Sequence, residues 1–482
     1  MTVDASGGAR WEIVVGLEVH CELSTATKLF CSCPNAFGAE PNTNVCPVCL
    51  GLPGSLPVLN ARAVEYAVRI GTALGSRVVP SVFHRKNYFY PDMPKDYQIS
   101  QYDEPINVGG RVELADGSLI GIVRAHLEED TGKTTHVGGG GRIHDADYSL
   151  VDYNRAGVPL VEIVSAPDIR SAEQARSYVN ELRAILVATG ASDGRMEEGS
   201  LRIDANVSVR PAGAGEYGTR CEVKNLNSLR SLGRAIDYEA ARQIGIIEAG
   251  GAVVQETRHW NEDEGRTSPL RSKEEAFDYR YFTEPDLVPL APPAEEVAAV
   301  AAGLGPMPAA RRRRLGDLVA ADGLPAPADQ LATVVGLGLD DLVLAAVDDG
   351  ADPRLALTRA ANEAANRPSE ARALDPVAFA ELVKLEAAGR LSATQSKTVL
   401  AAMLEDGGEP QQIAARLGFE ALGEAELGAS IDAVLAAHPD EWARYRAGDA
   451  KVAQFLLGAV MRATRGRANG KAVAAALETR RT

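Results

Sequence analysis

The sequence predicts an α+β protein with a β-rich front and a helical rear, on three observations. Runs that alternate apolar and polar residues at period two recur before residue 290, as in WEIVVGLEVHCEL from Trp11 and SLRIDANVSVRP from Ser200. Nearly all Cys, His and aromatic residues fall in the same front part. From about Glu295 onward the composition turns to Ala, Leu, Asp, Glu and Arg at helical spacing, with PLAPP at Pro289 to Pro293 marking the switch.

At 482 residues the chain exceeds a single core, and two compositional breaks divide it: residues 1–293, 294–408 and 409–482 are expected as domains. The second break follows a helix pattern at Ser392 to Leu404 and precedes another beginning at Pro410. No run of about 18 apolar residues is present, so a membrane helix is not expected. The start MTVDASGGAR lacks the basic segment and apolar stretch of a signal peptide, which points to the cytoplasm and reduced cysteines. A net charge of -16 argues against a general nucleic-acid coat; any such contact is expected to be local. HVGGGGRIHDAD, His136 to Asp147, reads as a mobile glycine-rich loop.

In the first strand, Ile13, Val15, Leu17 and Val19 form one face, which leaves Glu18 and His20 on the other. A carboxylate and an imidazole side by side on a buried-looking strand call for a partner. A second polar face appears in SLRIDANVSVRP, with Arg202, Asp204 and Asn206 opposite Leu201, Ile203 and Ala205, and a turn leads into TRCEVKN with Glu222 and Lys224. Alone, that hairpin reads as the solvated face of an antiparallel sheet. Glu18, His20 and the acids Glu128, Glu129 and Asp130 of LEEDTGK change the balance, because carboxylates gathered with one histidine are the oxygen-rich set that holds Mg²⁺ beside phosphates.

Cys31, Cys33, Cys46 and Cys49 give two close cysteine pairs within 19 positions, in a segment rich in Gly, Pro and Asn. In a reducing compartment this spacing suits a closed tetrahedral zinc site, against the plainer reading of four unrelated buried thiols. Cys21 and Cys221 read as ordinary buried residues. GKT at Gly132 to Thr134 is not a phosphate loop, because the required glycine five positions earlier is Leu127. HRKNYFYPDMPKDYQISQ, His84 to Gln101, packs aromatics, prolines and cations into a segment too polar for a core element, so it reads as an ordered binding loop or a surface turn.

Taken together, GLEVH, HRKNYFYPDMPKDYQISQ, LEEDTGK, DYNRAGVPLVEIVS, SLRIDANVSVR and EVKNLNS resemble the B subunits of aspartyl/glutamyl-tRNA amidotransferases, in family order and across the chain from Trp11. That resemblance implies a β-rich cradle domain with the kinase and transamidase site, a helical domain, and a small helical YqeY-like tail that binds tRNA. It implies an ATP-dependent carbon–nitrogen ligase in which a side-chain carboxylate on Glu-tRNA(Gln) or Asp-tRNA(Asn) is phosphorylated and then amidated. By motif, Glu18, His20 and Glu129 are implied as magnesium ligands, and Asp204, Glu222 and Lys224 as further members of the catalytic pocket. His84, Arg85, Lys86, Tyr88 and Lys95 are implied as its nucleotide-binding wall. No glutaminase motif is found here, so the resemblance implies ammonia from a separate amidase, the A subunit of the complex, held by a small C subunit. ATP, Mg²⁺ and structural Zn²⁺ are the implied cofactors, although not all members carry the four cysteines. Two other readings stay open: a zinc-bearing RNA-binding protein with a merely solvated acidic face, and a free-standing carboxylate–amine ligase.

The tail reverses the overall charge. From Lys451 to Thr482 there are seven cations (Lys451, Arg462, Arg465, Arg467, Lys471, Arg480 and Arg481) against Glu478 alone. Val452, Phe455, Leu456, Val460 and Met461 have helical spacing and are expected to pack inward, leaving a basic helix end able to reach phosphates.

Overall fold

The computed structural model describes residues 10–87, 89–138, 146–196, 198–272, 279–320, 324–419, 424–449, 451–464, 468 and 470–481. It is an α+β chain in two compact units, residues 1–309 and 310–482.

Among the described residues of the first unit, thirteen strands form one sheet. Ten of them carry the path: β1 (Trp11–Glu22), β2 (Val82–Asn87), β3 (Tyr97–Glu104), β4 (Leu119–Glu129), β5 (Pro159–Ser165), β6 (Leu201–Pro211), β7 (Cys221–Lys224), β8 (Glu256–Asn261), β9 (Arg266–Ser272) and β10 (Phe282–Thr283). Their spatial order is β9-β8-β7-β6-β1-β5-β4-β3-β2-β10. The predicted alternation holds in β1: Val15, Leu17, Val19 and Cys21 are buried in the core, while Glu18 and His20 lie on the opposite face. Antiparallel pairing on both sides of β1 sets its neighbours in register, Glu18 against Asp204 and Val164, His20 against Arg202 and Glu162.

Helices cover the apolar face. Helix α1 (Ala61–Ala73) starts at Asn60, whose side chain accepts from the Arg62 amide. Helices α2 (Ala172–Ala188) and α3 (Leu229–Glu248) start at Ser171 and Ser228, whose hydroxyls accept from the amides of Gln174 and Ser231. Tyr178, Val179, Leu182 and Leu186 of α2 and Leu232, Ala235 and Ile236 of α3 join the sheet residues in one core. Burying large side chains on that side alone leaves the opposite face of the central strands free to carry polar groups.

The core of the first unit runs past the compositional boundary at 293. Val297 and Val300 of α4 (Ala294–Ala302), together with Met307, pack against it. Composition marks the change to helix, whereas the boundary depends on which core receives those side chains.

The second unit is helical and holds two hydrophobic cores. One runs from Leu315 to Ala414, so Ile413 and Ala414 of the helix Pro410–Arg416 belong to the same core as Leu400 and Leu404, and the compositional break at 408 does not separate them. The other gathers Ile431, Tyr445, Val452, Leu456, Val460, Val473 and Leu477. Phe455, expected inside, is instead 41% exposed and meets His438 edge-on. Among the described residues no single helix is long and apolar enough to cross a bilayer. The stretch 139–145 of the glycine-rich loop lies outside the described residues.

Candidate active site and metal centres

The polar face of the sheet gathers ionisable residues from six strands. Period two places Arg124, His126 and Glu128 of β4 on it, and the register brings Glu162 of β5 between His20 of β1 and His126 of β4. His20 Nε2 stands 3.5 Å from Glu128 Oε1 and 3.9 Å from Glu162 Oε2. One donor atom from each of His20, Glu128 and Glu162 lies within 4.8 Å of the others, the dimensions of a cation site.

Electrostatics favour the same reading. Burial, then the charges of Glu128 and Glu18, push Glu162 up to about 8. Burial, opposed by Lys86 and reinforced by Asp130, raises Glu128 to about 7. Burial and the nearby Arg202 and Lys224 push His20 down to about 3, so its ring is neutral and able to donate a lone pair. Two carboxyls that resist ionisation beside a neutral imidazole are held as though a positive charge were missing between them.

Around this cluster, Glu18 accepts a hydrogen bond from Asn206 Nδ2 at 2.9 Å. Lys224 Nζ is 2.8 Å from Asp204 and 3.0 Å from Glu222. Burial would lower the Lys224 pKa, but those two carboxylates outweigh it and raise it, so the residue stays charged. Arg202 donates to Asp130 at 2.8 Å. Lys86 lies over the Tyr279 ring, 4.9 Å from its centroid. His84 is buried on β2, opposite Ser100 of β3, which in turn faces Glu128.

Not every predicted residue reaches this face. Glu129 follows Ala125 and Leu127 onto the core side of β4, where Lys95 pairs with its carboxylate and the Ile99 amide donates to it at 2.9 Å. The expected set of Glu18, His20 and Glu129 is therefore not assembled as one group; the neighbouring Glu128 is the one that stands on the face of His20, because adjacent strand residues point to opposite faces. Arg85 also points away from the cluster. It donates twice to the fully buried Glu284, at 2.6 and 2.9 Å, and stacks on Tyr97 with 4.2 Å to the ring centroid. Lys95 is committed to Glu129. Of the expected nucleotide wall, Lys86 is thus the cation left facing the carboxylates, and Tyr88 lies outside the described residues.

Glu162 and His126 do not stand out in the sequence read strand by strand. Their signal is nevertheless present: Glu162 is the only charged residue in β5, which is otherwise apolar up to Ser165, and His126 stands two positions before Glu128 on the same strand face.

The cysteine quartet closes as its spacing predicts. Cys49 Sγ lies 3.6, 3.7 and 3.9 Å from the sulfurs of Cys31, Cys46 and Cys33. A tetrahedral ion with metal–sulfur bonds of about 2.3 Å separates its ligands by about 3.8 Å, whereas a disulfide requires about 2.05 Å. All four cysteines are free, and the group could hold a metal ion. The buried Lys28 brings its ammonium to 3.5 Å from Cys49 Sγ and donates to the Asn44 carbonyl at 2.8 Å. Gly51 closes this segment with φ +63°, and a Cβ there would meet Lys95 Cγ at 2.6 Å. Cys31, Cys49, Lys95 and Glu129 line a common cavity of about 50 Å³.

The residues that carry the mixed sheet and its carboxylate and imidazole cluster match a family model described as GatB/GatE catalytic domain, over 13–298; a model described as GatB domain matches 342–480 in the helical unit. The chain is 51% identical to the B subunit of the aspartyl/glutamyl-tRNA(Asn/Gln) amidotransferase of Frankia casuarinae, over 96% of this chain and 94% of that one. The protein of the same name from Nocardia farcinica is 49% identical over 96% and 95%, and that of Thermosynechococcus vestitus 47% over 97% and 96%. The chain belongs to the family of aspartyl/glutamyl-tRNA(Asn/Gln) amidotransferase B subunits.

Proposed function

We propose that this chain performs the activating half of tRNA-dependent amidation: it phosphorylates the side-chain carboxylate of Glu-tRNA(Gln), Asp-tRNA(Asn) or both, and then lets ammonia displace the phosphate. The observation that carries the reading is the cross-strand cluster of His20, Glu128 and Glu162. A carboxylate has no good leaving group. Transfer of the terminal phosphoryl group of ATP to one carboxylate oxygen gives ADP and an acyl phosphate; attack by ammonia then releases inorganic phosphate and leaves the amide.

His20, Glu128 and Glu162 would hold Mg²⁺, whose chemistry when bound is to neutralise phosphate charge. Lys86 offers a further cation to the phosphates from β2. Lys224 faces the same site, fixed between Asp204 and Glu222, so that its charge is held in place as phosphoryl charge shifts. Glu18, held by Asn206, sustains the negative field that attracts the cation.

In this reading Cys31, Cys33, Cys46 and Cys49 hold a structural zinc ion that fixes the segment beside Glu129. An amidase, the A subunit, supplies ammonia from glutamine, a small C subunit joins the complex, and the work takes place in the cytoplasm. The helical tail from about residue 409 contributes phosphate contacts to tRNA. The test is reconstitution of the complex with misacylated tRNA, ATP and glutamine. ADP formation is expected to require Glu-tRNA(Gln) or Asp-tRNA(Asn) and to collapse in Glu162→Gln and Glu128→Gln. Acyl-phosphate formation at the unsubstituted rate in both variants would end the proposal.

A further inference from the structure

Lys28, between β1 and α1, is a fully buried lysine that the proposed reaction leaves without a task. Among the described residues no carboxylate pairs with its ammonium. Glu129, which borders Gly157 together with the Lys28 stem, is already met by Lys95. An ammonium taken out of water without a counter-charge is costly, so its position asks for an anion. The cysteine quartet supplies one. The Lys28 ammonium stands 3.5 Å from Cys49 Sγ, the sulfur that the other three adjoin, and donates to the Asn44 carbonyl at 2.8 Å. The backbone N–H of Lys28 donates to the Cys33 carbonyl at 2.9 Å. Asn44 is fixed in turn, its own N–H donating to Asn154 Oδ1 at 2.8 Å in the stretch before β5. Main chain and side chain of Lys28 are thus both given to the cysteine segment, with the charge set against a sulfur.

We infer that Lys28 is the resident counter-cation of the zinc centre, a positioning residue that holds the ion in place and keeps its thiolates unreactive. The inference rests on the zinc reading of the quartet and goes beyond it. Four thiolates around a divalent ion leave two negative charges in excess, and these cysteines are buried or half-buried, where water screens that excess poorly. The ammonium against Cys49 offsets one of the two. A charge-assisted hydrogen bond also engages a lone pair of that sulfur, which makes it slower to take a proton, an alkylating agent or an oxidant. Each of those reactions would release the metal. Neutral thiols would give a buried ammonium nothing to pair with, so Lys28 suits ligated thiolates better than four unrelated buried thiols.

The test measures zinc affinity of the full chain by competition with a chelator, in the unsubstituted protein, Lys28→Met and Lys28→Gln. Methionine keeps an unbranched stem, glutamine keeps a donor for the Asn44 carbonyl, and neither keeps the charge. Both variants should bind zinc about 10- to 100-fold more weakly. With Co²⁺ in place of Zn²⁺, their sulfur-to-cobalt charge-transfer band should move to lower energy, because thiolates without a facing cation give up an electron more readily. Iodoacetamide should alkylate their metal-bound cysteines faster. A lower melting temperature with unchanged zinc affinity and an unchanged cobalt band would make Lys28 a packing residue and overturn the inference. Should neither variant fold, NMR of the unsubstituted chain with isotope-labelled lysine decides: a slowly exchanging ammonium signal is expected to shift when Cd²⁺ replaces Zn²⁺. No ammonium signal responding to that exchange would overturn the inference equally. If the unsubstituted chain bound no zinc, the zinc reading itself would fall, and this inference with it.

Discussion

The cysteine quartet and the carboxylate cluster are both metal-sized groups in the first unit, and they are built in opposite ways. The four thiols come from a 19-residue segment whose turns bring them together locally. The cluster of His20, Glu128 and Glu162 is assembled from three strands spread across more than 140 positions of sequence, and it exists only because the sheet sets their register. A local site stabilises the segment that makes it. A register-built site borrows the rigidity of a sheet already stabilised by its other face, so its residues are free for chemistry.

The largest effect that would sharpen this contrast lies at the cysteines. Cys46→Ser should lose the bound zinc, and with it a local folding contribution on the order of 10 kcal/mol as judged from isolated zinc modules. Protease cleavage between about residues 25 and 58 is then expected while the sheet remains folded. Unchanged zinc content in the variant would refute the site. Loss of activity should follow from this unfolding and not precede it.

At the carboxylate cluster the balance should reverse. Glu162→Gln and Glu128→Gln should lower amidation about 10²- to 10³-fold while leaving the melting temperature unchanged or raised, because each removes a buried carboxyl that resists ionisation. Calorimetry beside a single-turnover assay separates the two. A large loss of stability would show that the cluster is structural like the cysteines.

A pH series gives a finer distinction. The carboxyls of Glu162 and Glu128 are raised, to about 8 and about 7, so each takes up a proton as pH falls through those values. A cation must displace those protons. Its affinity is therefore full above about pH 8 and lost progressively below it, by up to tenfold per pH unit for each proton released. His20, held near 3, stays neutral throughout and adds no step. Binding that is flat between pH 9 and 6 would contradict these raised carboxyls.

The smallest expected effect is in the tail. Lys451 and Arg462 are exposed on the helical end of the second unit. Replacing both with Ala should weaken tRNA binding a few-fold and lower the slope of log K against log salt by roughly one for each phosphate no longer neutralised. An unchanged slope would assign this basic patch to something other than tRNA.

Much of the molecule is legible in the sequence, and the failures have a common cause. Alternation at period two announces the strands, and Glu18 and His20, paired on one strand and joined by the acids of LEEDTGK, point to a candidate site on the polar face. Spacing announces the cysteine site. The motif points to Glu129, whereas the fold sets Glu128 on the face of His20, because a motif names neighbours without saying which face each takes. Glu162 and His126 escape notice because a lone acid or imidazole within one strand means little until the adjoining strands are known. The resemblance implies Arg85 and Lys95 as part of the nucleotide-binding wall, yet Glu284 and Glu129, brought close only by the fold, pair with them.

The sequence by itself determined the α+β division, the strand faces and the closed cysteine group, since each depends on periodicity or on contacts within a few turns of chain. Tertiary structure alone decided which carboxylates meet His20, that His126 stands across Glu162 from it, and where the first core ends. Those outcomes depend on strand register and on which core receives a helix. Both are settled by the burial of apolar side chains far apart in sequence, and no local pattern contains that information.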